Sequence, residues 1–190
     1  MVNFEIAQDF PAGLARLWEA LGRRDYVERK YVALGSTSLQ IKQFDSGPQR
    51  IEVRLERTLA DAASGLPAWA RWLSGQPQRL THHTCWNRAG AKQVDIELRV
   101  STPDHAVDAH ATGSVIELDS GRTRMRLRVA VECSVPAIGG RIANLFADQM
   151  KHALEQDHSF TVRYLMGDAA LPADASTRTA GTRRRNQSGQ

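Results

Sequence analysis

Two cysteines in 190 residues, Cys85 and Cys133, are too few for a disulfide framework, and both sit inside strand-like runs. Reduced thiols in a cytoplasmic protein are therefore the expectation. No apolar run approaches the length of about 20 residues that a membrane span needs. The opening stretch VNFEIAQDF alternates like a strand and has neither the charged start nor the apolar core of a signal peptide. Neither export nor stable membrane insertion is expected. No phosphate loop, dinucleotide glycine fingerprint or nucleophile elbow occurs, and no cofactor is expected.

The six histidines form no metal-binding pattern. His82 and His83 are adjacent on a strand, so they point to opposite faces and cannot both reach one ion. His105 and His110 fall in a turn and at an outward strand position, and His152 and His158 on the polar edges of a helix. No metal is expected.

Hydrophobic content of 42% and charged content of 24% are those of an ordinary soluble globular protein. The formal charge of +4 is only half a property of the body. Residues 168–190 hold four Arg and two Asp, and without them 21 basic residues face 19 acidic ones. That terminal stretch, DAALPADASTRTAGTRRRNQSGQ, has no apolar periodicity and no aromatic, and is expected to be a disordered basic tail. Residues 1–167 are expected to form a single domain with mass enough for a real core.

The first 35 residues predict one strand and two short helices. Val2, Phe4 and Ile6 alternate with polar neighbours, and Leu14, Leu17, Trp18 and Leu21 share one side of an amphipathic run. Asp25 is the expected cap of a second helix ending at Gly35.

From about residue 36 to 134 the hydrophobic period changes from 3.6 to 2. Ile51, Val53 and Leu55 oppose Glu52, Arg54 and Glu56, and Val94, Ile96, Leu98 and Val100 oppose Asp95, Glu97 and Arg99. Along 122–133, Arg122, Arg124, Arg126 and Arg128 alternate with Met125, Leu127, Val129 and Val131. Long strands with one wet and one dry face, joined by short turns such as Asp119-Ser120-Gly121, describe an antiparallel meander buried on one side. The Arg ladder resembles a nucleic-acid surface, but no aromatic interleaves with it as a stacking platform requires. Asp95, Glu97 and Asp108 on neighbouring strands are its expected partners, and no nucleic-acid partner is expected.

In the strand near 106–118, Ala109, Ala111 and Gly113 share a phase with Val107 and Val115. Their smallness leaves room for a cavity, or marks where a helix presses closest. Residues 60–77, ADAASGLPAWARWLSGQP, are longer than a hairpin needs. Trp69 and Trp72 on this segment suit a lid over a pocket mouth, a membrane-surface contact or a plug for the core.

The stretch from Pro136 to Gly167 is the longest periodic run, and reads as one helix with Pro136 at its first position. Ile138, Ile142, Leu145, Phe146, Met150, Ala153, Leu154, Phe160, Tyr164 and Leu165 form a broad apolar arc. Asp157 falls near the centre of that arc, and Gln149 lies at its margin. A carboxylate there needs a partner or water: a salt bridge to an Arg of a strand, solvent at a frayed end, or a ligand cavity into which it points. One of His82 or His83 must also point inward, and with Asp157 is the only pairing that resembles acid/base apparatus.

The order strand, two short helices, antiparallel strands and long C-terminal helix is that of the helix-grip fold. The chain resembles the START/Bet v 1-like superfamily of polyketide cyclases and lipid-transport proteins. VNFEIAQDFPAGLARLWEAL at the start, GLPAW mid-chain and ECSVPAIGGRIANLF before the last helix resemble an uncharacterised bacterial family within it. The resemblance implies an α+β fold, a curved antiparallel sheet wrapped around the long helix, with an apolar cavity between them for lipids, sterols, polyketides or other hydrophobic molecules. It carries no catalytic residue over.

The leading expectation is a monomeric or homodimeric binding or carrier protein for a hydrophobic small molecule. Asp157, Gln149 and His82 or His83 would orient the ligand, and Trp69, Trp72, Phe146, Met150 and Tyr164 would wall it, with room left by Ala111 and Gly113. The alternatives are a cyclase- or hydrolase-like enzyme using the inward His with Asp157, and a non-enzymatic protein-interaction module.

Overall fold

The computed structural model describes residues 1–59, 78–103 and 106–167. Along these the chain forms β1 (Val2–Phe10), α1 (Leu14–Leu21), α2 (Arg24–Ala33), β2 (Ser36–Ser46), β3 (Arg50–Leu59), β4 (Gln78–Gly90), β5 (Gln93–Ser101), β6 (Val107–Glu117), β7 (Thr123–Cys133) and a final helix, α3 (Gly139–Met166). Trp69, Trp72 and the tail from 168 lie outside the described residues.

The seven strands make one antiparallel sheet in the order β1-β7-β6-β5-β4-β3-β2. β2 to β7 follow one another as a meander, and β1 closes the far edge against β7. This is the helix-grip fold: a curved open sheet, a long C-terminal helix across it, and two short helices after the first strand.

The period-2 pattern fixes the sheet's faces. Ile51 and Leu55 on β3, Val94 and Val100 on β5, Val115 on β6 and Val129 and Val131 on β7 are almost fully buried. Leu14, Leu17, Trp18 and Leu21 turn the dry side of α1 inward. Against this surface α3 sets Ala143, Phe146, Ala147, Met150, Leu154, Phe160 and Leu165, all buried. Burying each large apolar side chain stabilises the fold by about 1.5–3 kcal/mol before chain entropy is set against it.

Several local expectations change. Asp25 does not cap α2: Arg23 holds the cap position, and Asp25 lies in the first turn with its carboxylate on the Arg23 guanidinium at 3.0 Å. An acid there still favours the positive end of the helix dipole. α3 starts at Gly139, three residues after Pro136, because Pro136 belongs to a turn closed by the Ile138 amide on its carbonyl, with Ala137 at positive φ. A Cβ on Gly139 would stand 2.9 Å from the Cys133 carbonyl oxygen, so only glycine lets the helix start this close to the end of β7. The helix ends at Gly167, as the sequence predicts.

The Arg ladder finds different acids from those expected. Because β7 lies between β1 and β6, Asp9 of β1 takes Arg124 in a paired contact of 2.7 and 2.8 Å, and Glu5 takes Arg128 at 2.9 Å. Asp9 also lies 3.7 Å from Arg122. Glu97 instead serves Arg99 and His110.

Candidate functional site

A cavity of about 140 Å³ lies between the concave face of the sheet and the helices α1, α2 and α3. Leu17, Leu21, Ile96, Leu98, Leu127 and Leu154 are among its apolar walls. A closed apolar cavity of roughly this size takes a benzene, and this one opens to solvent beside Gln149, so a longer molecule can extend out of it. One set of polar groups gathers towards α2, where Tyr26, Lys30, Tyr31, Arg57, His82, Asp157 and Thr161 all reach the lining.

The sequence delivers them in phase. Arg57 continues the inward series Ile51, Val53, Leu55 on β3, and His82 shares the inward face of β4 with Leu80, Thr84 and Trp86. Helix α2 turns Tyr26, Val27 and Tyr31 inward, and the Lys30 stem follows them.

The contacts form a connected set. The Lys30 ammonium meets Asp157 Oδ2 at 3.1 Å, and lies 5.5 and 5.1 Å from the ring centres of Tyr26 and Tyr31. Thr161 gives its one proton to Asp157, to the carbonyl at 2.8 Å or to Oδ1 at 3.2 Å. The buried Tyr26 hydroxyl, 2.7 Å from Thr161 Oγ1, must therefore be the donor in that bond. Arg57 donates Nε–H to His82 Nε2 at 3.0 Å and stacks its guanidinium 5.1 Å from the centre of the Tyr31 ring. Tyr31 and His82 meet edge to face at 5.4 Å.

These contacts set the charges. Burial pushes the His82 imidazole well below the usual histidine range, and the positive charges of Arg57 and Lys30 push it the same way. His82 is thus neutral, with Nε2 its bare acceptor. Burial alone would lower the Lys30 ammonium, but the Asp157 carboxylate and the Tyr26 and Tyr31 phenols outweigh it, and its pKa stands above the ordinary lysine value. Burial raises the Tyr26 phenol, which stays protonated.

The residues singled out from sequence divide in the structure. His82, Asp157, Gln149, Phe146 and Met150 all line the cavity, Gln149 where it opens to solvent. His83 faces the other side of the sheet, bonded to Glu52 at 2.8 Å. Tyr164 packs edge to face on Tyr26 at 5.0 Å without lining the cavity, and Ala111 and Gly113 face the core on β6, also outside the lining. His82 and Asp157 do not bond each other: their partners are Arg57 and Lys30. His158, expected on a polar edge, turns to the cavity wall, where its Nε2–H donates to the Asp9 carbonyl at 2.8 Å beside Phe10.

Lys30, Arg57, Tyr31 and Tyr26 were not expected here. Arg57 was legible from the phase of β3. Lys30 was not, because a weakly amphipathic helix gives no clear inward face.

On the outer face, ligand atoms of Glu52, His83 and Cys85 lie within 4.8 Å of one another. Arg50 and Arg54 reach the Glu52 carboxylate at 2.8 and 3.0 Å, so guanidinium groups hold the place a cation would take. Hydrogen bonds from His83 and Arg54 keep that carboxyl below its usual range against the effect of burial. Among the described residues no helix is long and apolar enough to cross a membrane.

Comparison with known proteins places this geometry. The family model described as "Protein of unknown function (DUF2505)" matches residues 5–165. None of the curated proteins matches the chain. Among solved structures, TTHA0849 from Thermus thermophilus superposes with a TM-score of 0.57 at 15% identity, covering 89% of this chain and 100% of that one. The Zhui aromatase/cyclase from Streptomyces sp. R1128 gives 0.55 at 14%, covering 87% and 93%. A START superfamily protein from Mycobacterium smegmatis gives 0.50 at 13%, covering 85% and 98%. At these identities the likeness is one of fold.

Proposed function

The chain belongs to the family described as Protein of unknown function (DUF2505), and we propose that it binds and carries a hydrophobic small molecule, of the lipid, sterol or polyketide-like class, between the sheet and α3. The observation that carries this reading is the cavity itself. Helix and sheet could have met in full contact; instead they leave about 140 Å³ walled largely by leucine, isoleucine, phenylalanine and methionine side chains, with its charged groups gathered at the α2 end. Such a site gains affinity from apolar contact, at roughly 25 cal/mol per Å² of ligand surface before ordering costs, and orientation from a few fixed polar atoms.

The acid/base alternative has less support. It needs His82 and Asp157 to address one substrate together, and each is bonded to a cation of its own. The two free thiols fit a reducing, cytoplasmic setting, and a chain acting as monomer or homodimer is sufficient for the proposed role.

Native mass spectrometry of protein purified without lipid stripping, followed by a thermal-shift panel of hydrophobic compounds on the stripped protein, tests the proposal. A co-purifying mass, or a concentration-dependent rise in melting temperature, is the expected result. Neither appearing across lipids, sterols and polyaromatics would overturn it.

A further inference from the structure

The cavity lining carries a charge that the described residues do not balance. Lys30, Arg57 and Asp157 reach the cavity, together with His82 and His158. Asp157 is committed to Lys30 at 3.1 Å and to the Thr161 hydroxyl. His82 is an acceptor towards Arg57, and His158 donates to a main-chain carbonyl. Arg57 is left as a guanidinium with no carboxylate in ion-pair contact among the described residues, and the Asp157 carboxylate, paired with Lys30, acts on it only at longer range. Arg57 is 6% exposed, and its Nη1 is fully buried with no hydrogen-bond partner among the described residues.

A buried guanidinium nitrogen without an acceptor is costly to the free protein, and a charge without a counter-ion more so. The rest of the side chain is well fixed, by the bond to His82 and by the Tyr31 ring. The fork is thus held in place before anything binds, on the wall of a cavity that is otherwise largely apolar. An ordered water or a ligand hydroxyl would give the guanidinium a further acceptor but would not neutralise the charge. A carboxylate does both, and its planar pair of oxygens matches the guanidinium. One negative charge also balances the lining, which holds two cations against one carboxylate.

We propose that the occupant of this cavity is an amphipathic monocarboxylate whose acid group pairs with Arg57 while its hydrocarbon part fills the apolar end. This rests on the binding reading above and narrows it from hydrophobic molecules in general to hydrophobic acids.

Titration calorimetry on the stripped full-length chain, with matched pairs that differ only in the head group, provides the test. Octanoate and octanol, dodecanoate and dodecanol, and naphthoate and naphthol separate aliphatic from aromatic acids. In the wild-type protein each acid that fits binds about tenfold or more tightly than its alcohol, the gain from one well-placed charge-assisted contact. Arg57→Gln reduces that ratio to less than about twofold by weakening the acid, whereas Arg57→Lys, which keeps the charge and loses the fork, retains part of it. Equal wild-type affinity for acid and alcohol, a comparison that needs no variant to fold, overturns the inference and leaves the binding site standing. A preference that survives intact in a folded Arg57→Gln protein overturns it as well. If none of the six compounds binds and no hydrophobic mass co-purifies, the binding reading itself fails and takes this inference with it.

Discussion

Lys30 of α2 and Asp157 of α3 meet at 3.1 Å on the wall of the cavity, with 13% and 30% of their side chains exposed. The ion pair and the cavity wall are therefore the same feature. Together with the Tyr26–Thr161 bond, it ties the short helix to the long one across the polar end of the site. This explains how a carboxylate comes to sit in the apolar arc of α3: its partner arrives from α2, and the pair closes that end of the grip.

The pair is expected to be coupled by about 1–2 kcal/mol, less than a fully buried pair because both groups keep some contact with water. Asp157→Asn costs more than Lys30→Met, since it strands the more deeply buried charge. Urea melts of wild type, both single variants and the double variant give the coupling. The folded Lys30 pKa stands above the unfolded value, so the contribution is complete below about pH 10.4 and is lost as pH rises from there through the folded value. A coupling indistinguishable from zero at neutral pH would show the pair to be incidental.

The neutral His82 makes a second pH prediction, of opposite sign. Its folded pKa lies well below the unfolded one, so the unfolded chain takes up a proton near pH 6.5 that the folded chain refuses. Stability from this group is complete above that pH and falls as pH drops towards the folded value, by about 1.4 kcal/mol per pH unit. His82→Gln keeps an acceptor in reach of the Arg57 Nε–H and removes the titration. Denaturant melts from pH 7 to pH 5 should show wild type losing stability faster than the variant, and parallel curves would contradict the assignment.

At Gly113 the constraint is steric. A Cβ built there would lie 1.9 Å from the Arg126 carbonyl oxygen of β7, a backbone atom that cannot swing aside. Gly113→Ala is expected to cost about 3 kcal/mol or more, by forcing β6 and β7 apart at the Gly113–Leu127 pair. Thermal melts and amide exchange across β6 and β7 check it. Ala111→Gly, at a site without such a contact, serves as the comparison and is expected to lose less.

The small residues of β6 show what periodicity can and cannot deliver. The pattern correctly sets Ala109 and Ala111 on the buried face, at 2% and 0% exposure. It cannot say whether small size makes room for a ligand or for a neighbouring backbone, because both leave the same one-letter trace. The same limit applies at the polar end. Strand phase carries Arg57 inward and narrows the inward histidine to His82 or His83, since a period of 2 admits only two faces. Lys30 depends on how α2 rolls against α3, and its partner Asp157 on where two helices cross. Those are tertiary facts, set by packing between segments more than a hundred residues apart, and no local pattern encodes them.

Ala153 gives the most direct test of where the ligand sits. It lies on the cavity-lining face of α3, one helical turn from Met150 and one from Asp157. A phenyl ring grown from this position enters a space of about 140 Å³, which is of the order that one benzene fills. Ala153→Phe should therefore fold as well as wild type or better, since added apolar contact replaces empty volume, with thermal melting unchanged or raised. Ligand affinity should fall by about tenfold or more, because the ring and the ligand's hydrocarbon part compete for the same walls. The substitution leaves Arg57 and its bond to His82 untouched, so the loss reads steric exclusion alone. A variant that melts like wild type and still binds with full affinity would place the ligand elsewhere on the molecule, and the cavity would then be only a packing defect between sheet and helix.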